Sequence, residues 1–168
     1  MTKRMKHALG AAAAFVLIGA VDAAAQNTAN ANVTATVTVN GRARLDVSAT
    51  DIAFADADPT ATPSIQADVT LDILAQVRTT PASAVTLTVQ AGGDFTAAGG
   101  ATIAINNLTW TTTGAGYAGG TAAASAVSLG TWTGPGARNG SQTYFLANSW
   151  AYAPGTYTTT LSYTLTAP

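Results

Sequence analysis

The closing stretch "PGTYTTTLSYTLTAP", residues 154–168, decides the fold. After Gly155 the odd positions are Tyr157, Thr159, Leu161, Tyr163 and Leu165, and every residue between them is Thr or Ser. Alternation of this strictness marks a strand with one face buried and the other in water, because successive side chains of a strand point to opposite faces. A strand of that kind needs a second layer to cover its apolar side.

Working back from this ending, the same period of two recurs along the chain. Val33, Ala35, Val37 and Val39 alternate with Thr34, Thr36, Thr38 and Asn40. Ile65, Ala67, Val69, Leu71, Ile73, Ala75 and Val77 form a longer ladder, and Val85, Leu87 and Val89 a third. Val and Thr, branched at Cβ, pack well on a pleated surface, and helix signals are close to absent. Turn chemistry separates the runs: "NG" at 40–41, "DADPTATP" at 56–63, "TTPAS" at 79–83, "AGGD" at 91–94, "AAGG" at 97–100, "GPGARNGS" at 134–141 and "APG" at 153–155.

These signals place strands near 32–40, 43–54 with a break at Ala49, 65–78, 84–90, 101–112, 127–132, 142–149 and 156–166. The Ala/Gly-rich stretch 114–126 reads as a long loop. Seven or eight antiparallel strands separated by turns predict an all-β, immunoglobulin-like β-sandwich.

The first twenty-five residues read as a secretory signal peptide. Lys3, Arg4 and Lys6 precede an apolar run from Ala8 to Val21, and Ala23-x-Ala25 offers a cleavage site before Gln26. The run is too short for a comfortable membrane span, and no stop-transfer pattern follows it. The expectation is a secreted protein, periplasmic in transit and then at the cell surface or outside it. Residues 26–168 form one domain by size, long enough to bury roughly two thirds of its unfolded surface.

Removing the leader changes the chemistry on offer. Residues 26–168 keep four Arg (42, 44, 78, 138) and seven Asp (46, 51, 56, 58, 68, 72, 94), a charge of about −3, and contain no Lys, Glu, His, Cys or Met. A Ser nucleophile would have no His or Lys base. Thiolate and imidazole metal sites have no ligands. Four arginines give phosphate-backbone binding little footing, so nucleic acid is not an expected partner. Asp68 and Asp72 share a face of one expected strand but stand roughly 13 Å apart, too far for a glycosidase pair. Asp51, Asp56 and Asp58 crowd one loop without the spacing of a calcium-binding loop. Neither an enzyme, a cofactor nor a metal is expected.

Trp110, Trp132 and Trp150, with Tyr117, Tyr144 and Tyr152, allow two readings. Flat rings can stack on sugars, which would make the chain a monomeric extracellular module for glycan; near strands, a sandwich uses Trp as core filling. The opening segment also allows two readings. Residues 32–40 are either the first strand of their own sandwich or a donor that completes an open sheet edge on another molecule.

Three stretches bear on that choice: "VTATVTVNGRARLDV", "ILAQVRTTPASAVTLTVQ" and the ending, in which a Gly fourteen residues from the terminus precedes an alternating strand. In layout the chain resembles a fimbrial subunit of the chaperone-usher kind, of the cysteine-free class, and is also similar to spore coat U-like secreted domains. The resemblance implies a structural subunit that associates with copies of itself or other surface subunits, with a periplasmic chaperone as a transient partner. It implies a donor segment within residues 26–40 carried by Val33, Ala35, Val37 and Val39. Tyr157, Leu161, Tyr163 and Leu165 of the last strand would then line the acceptor groove. The chain departs from the family pattern in ending "TLTAP", without a next-to-last Tyr, and in lacking a disulfide that many members have.

Overall fold

The computed structural model describes residues 29–168; the expected signal peptide, 1–25, lies outside the described residues. The chain divides into two units, one ending at Val37 and one comprising Thr38–Pro168. In the first, residues 29–37 form no helix and join no sheet, and Val33 and Val37 are 92% and 84% exposed. Val39, at the start of the second unit, is 65% exposed and likewise outside any strand. The strand expected at 32–40 is therefore absent from this chain's own sheets. Alternation makes a segment fit to be a strand, but a strand exists only with a partner edge.

The second unit is all β, with twelve strands among the described residues where seven or eight were expected. One sheet runs β1 (Arg42–Val47), β3 (Leu71–Arg78), β10 (Gly136–Ala147), β7 (Leu108–Thr113) and β8 (Gly120–Thr121), with β2 (Ser64–Gln66) paired to the far end of β10. A second runs β12 (Leu161–Thr166), β4 (Ala84–Ala91) and β9 (Val127–Thr133). A third, smaller one joins β11 (Tyr157–Thr158), β5 (Phe95–Ala97) and β6 (Thr102–Ile103). Each pairing between these strands is antiparallel, and the arrangement is sandwich-like.

The period-two pattern sorts side chains as expected. In β3, Leu71, Ile73, Ala75 and Val77 are buried; in β4, Val85, Leu87, Val89 and Ala91 are. Leu108 and Trp110 of β7, Leu129 of β9 and Tyr144 of β10 complete the centre, with Trp110 and Tyr144 edge to face at 5.9 Å. At ~25 cal/mol per Å² of apolar surface, these interleaved faces are the main source of stability.

Several expected strands are shorter or broken. The ladder 65–78 splits into β2 and β3, because Asp68 turns aside to bond Ala53: its N–H donates to the Ala53 carbonyl at 2.9 Å and its carboxylate accepts from the Ala53 N–H at 2.8 Å. The stretch 101–112 is interrupted by a 3-10 turn, Ile105–Asn107, whose first N–H is taken by Asp94 Oδ1 at 2.8 Å. The expected turn at 134–141 is instead mostly strand, the first half of β10. Gly140 explains this: a Cβ there would stand 2.6 Å from the Tyr117 ring, so the glycine makes room for an aromatic on the sheet rather than for a bend. Tyr117 arrives from the expected loop 114–126, which also supplies β8 and the buried Ala122. The strand expected over 43–54 stops at Val47 as β1.

Candidate functional site

That early stop creates the main concavity. Beyond Val47 the chain continues through Ala49–Ala57 with Ala49, Ile52, Phe54 and Ala57 half-buried and the residues between them exposed, yet it joins no sheet. Its backbone is held at Ala53 by Asp68 and at the Ala57 carbonyl, which accepts from Asn148 Nδ2 at 3.0 Å. Facing it is the stretch Trp150–Leu161, and between the two lies a cleft of about 1330 Å³. Leu71, Phe95, Ile103, Leu108, Leu146 and Tyr163 contribute to its lining.

Both flanking strands end their sheets. β12 pairs only with β4, and β1 only with β3, so among the described residues each leaves one edge of N–H and C=O groups without a strand partner. Leu161, Tyr163 and Leu165 of β12 are only half-buried, although they pack against the core. An edge of this kind beside uncovered apolar side chains is a template for an added strand.

Of the groove residues expected from sequence, Tyr157, Leu161 and Tyr163 line the cleft; Leu165 is absent from its lining. Tyr157 belongs to β11, which pairs with β5, so the last strand is broken at Thr159–Thr160 rather than continuous. Val33, Ala35, Val37 and Val39 are exposed and joined to no sheet. Sequence reasoning missed the opposite bank, Ile52 and Phe54. The series Ala49, Ile52, Phe54, Ala57 shifts phase twice, between Ala49 and Ile52 and between Phe54 and Ala57, so a single period-two reading does not pick it out.

Beneath the cleft is a buried polar chain. Tyr163 donates to Gln142 Oε1 at 2.7 Å and lies 2.9 Å from the Tyr144 hydroxyl, which donates to it in turn. Gln142 is fully buried and its Nε2 has no partner. Burial pushes the Tyr144 hydroxyl up to about 12, with the polar groups of Tyr163 and Gln142 beside it acting in the opposite direction. Tyr163 is also raised, first by burial and then by Tyr144 beside it. Neither hydroxyl is primed as a nucleophile or a base.

The aromatics divide unequally. Trp110 is buried and donates to the Ala118 carbonyl at 3.0 Å; Trp132 is half-buried, donates to the Ala115 carbonyl at 2.9 Å and meets Tyr117 edge-on. Trp150 alone among the tryptophans is exposed, at 73%, and it stands in the cleft wall with its indole N–H on Thr60 Oγ1 at 3.1 Å. Asp58 Oδ1 accepts from the Thr60 N–H at 2.8 Å, shaping the Asp58–Thr62 turn rather than pointing to a ligand. Among the described residues no three His, Cys, Asp or Glu side chains are grouped to hold a metal ion, and no helix is long and apolar enough to cross a membrane. No protein-family model and no curated protein matches the chain.

Proposed function

We propose that this protein is a secreted structural subunit of a bacterial surface assembly, fimbrial or coat-like, that polymerises by lending its N-terminal segment to the cleft of another copy. One observation carries the reading: the same chain holds an alternating segment without a sheet and a sheet edge without a strand. The dimensions agree. Val33–Val39 would span roughly 20 Å as a strand, within the roughly 30 Å that the nine residues Ala49–Ala57 could line. Val33, Ala35, Val37 and Val39 would then fill the space above Tyr157, Leu161 and Tyr163, while main-chain hydrogen bonds form along β12.

A glycan-binding module would gather exposed flat rings on one surface, and of the rings lining the cleft only Trp150 is exposed, Phe54, Tyr152, Tyr157 and Tyr163 being half-buried. No step of the proposed role calls for a catalytic group.

The test compares residues 26–168 in native order with the same residues rearranged so that 26–40 follow Pro168 through a flexible linker. Light scattering after size exclusion should give oligomers or a poorly stable monomer for the native order, and a stable monomer for the rearranged chain. Val37→Asp should stop assembly in native order and lower the melting temperature of the rearranged chain, whose own cleft the same segment fills. A native-order chain that is a stable monomer and is harmed by the rearrangement would sink the proposal.

A further inference from the structure

Two unpaired arginines and the three aspartates that line the cleft lie toward opposite ends of the fold, which bears on how two copies meet. Arg42 opens β1 directly opposite Arg78, the last residue of β3. Opposite residues of an antiparallel pair point to the same face with Cβ atoms ~5 Å apart, and like charges there are unfavourable. Neither guanidinium has a carboxylate partner: the one ion pair among the described residues is Arg44 with Asp46, at 2.9 Å. Arg138 enters the same end of the sheet, two residues after Gly136, which pairs with Val77.

The acidic side chains that line the cleft, Asp51, Asp56 and Asp58, lie toward the other end. The Ala57 carbonyl is tied to Asn148, just past the end of β10, and Thr60 to Trp150. β10 runs from the arginine end to the cleft end over twelve residues, a separation of roughly 36 Å. None of these three aspartates has a cationic partner among the described residues.

We propose that the unpaired arginines Arg42 and Arg78 are the docking face for the acidic rim Asp51, Asp56 and Asp58 of the next copy. This rests on the donor-strand reading and adds the contact that orients it. The donor segment leaves the fold at Gly41, immediately before Arg42, and β12 runs from the cleft at Leu161 toward Pro168 beside Thr79, so a donor seated antiparallel to β12 brings its copy's arginine pair to the neighbour's acidic rim. The contact joins two different faces, so it leaves one of each free and can repeat from copy to copy, as a ring or as an open filament. Opposite charges at the rim of such a contact chiefly raise the association rate and set orientation, and salt screens them. Arg42 and Arg78 are exposed, so water and salt already weaken their mutual repulsion, and an anionic rim beside them lowers it further.

The experiment follows assembly of residues 26–168 by light scattering at about 0.02 M and about 0.5 M NaCl, conditions whose Debye lengths differ several-fold. The rate should fall by about tenfold or more at high salt. Arg42→Glu/Arg78→Glu and Asp51→Arg/Asp56→Arg should each slow assembly similarly at low salt, and the chain carrying all four changes should regain most of the wild-type rate. Unchanged melting temperatures would show that these exposed substitutions leave the fold alone. Salt-insensitive assembly, or a four-fold variant no faster than either double variant, would overturn the inference while leaving the donor strand standing. If Val37→Asp assembles as fast as wild type, the donor reading itself falls, and this contact falls with it.

Discussion

The hydroxyl of Tyr163, on the free edge strand β12, donates at 2.7 Å to Oε1 of Gln142, a fully buried side chain in the middle of the opposite sheet. The bond crosses the sandwich interior just below the cleft and ties an uncovered strand to a covered one. A strand lacking one neighbour has fewer main-chain bonds to hold it, so cross-layer contacts count for more there.

Tyr163→Phe should therefore destabilise the fold by about 1–2 kcal/mol, because it leaves Gln142 Oε1 buried without a donor while removing almost no volume. Denaturant unfolding should show a lower midpoint with an unchanged slope. Gln142→Leu in the Tyr163→Phe background should recover part of the loss, since an apolar pair leaves no orphaned carbonyl. A double variant less stable than Tyr163→Phe alone would contradict this account.

The two buried tyrosines also set an alkaline limit. Burial raises both hydroxyls above their ordinary value of 10.0, Tyr144 to about 12. The folded state thus holds these protons more tightly than the unfolded chain does. Their contribution is fully present below pH 10 and is lost as the pH climbs from 10 through 12. Residues 29–168 contain no His, Cys or Lys, so nothing in them ordinarily titrates in the neutral range. Melting temperature against pH should be flat from about 6 to about 9 and then fall steeply. The fall should be shallower in Tyr163→Phe, and a steep change near neutrality would be unexplained by this structure.

Tryptophan fluorescence gives a direct readout of the cleft. Trp150 is exposed while Trp110 is buried and Trp132 half-buried, so a neutral quencher should reach one strongly quenchable population. Trp150→Phe should remove it. On assembly the same population should become protected, since Trp150 stands in the cleft wall. Quenching that persists in the assembled protein would place the contact elsewhere.

Much of this fold is legible along the chain, and the boundary between what is legible and what is not follows one rule. Period-two alternation reports which face of a segment suits burial, so the core residues of β3, β4 and β12 can be read directly, and so can the turns at 79–83 and 97–100. Alternation carries no information about which edge a segment pairs with. The same pattern in Val33–Val39 and in Leu71–Val77 therefore leads to exposure in one case and to the sheet centre in the other.

Residue types alone also show that residues 26–168 bring no imidazole, thiol or amine side chain. Only the tertiary structure decided that β1 stops at Val47, that Ile52 and Phe54 face the last strand across an open cleft, and that Arg42 meets Arg78 while the cleft collects Asp51, Asp56 and Asp58. Each of these depends on contacts between residues far apart in the chain, such as Asp68 with Ala53 and Tyr117 against Gly140. Local pattern records the preference of each strand for water or core; pairing is a competition among all edges for one another, and that competition is resolved only when the whole chain is in place.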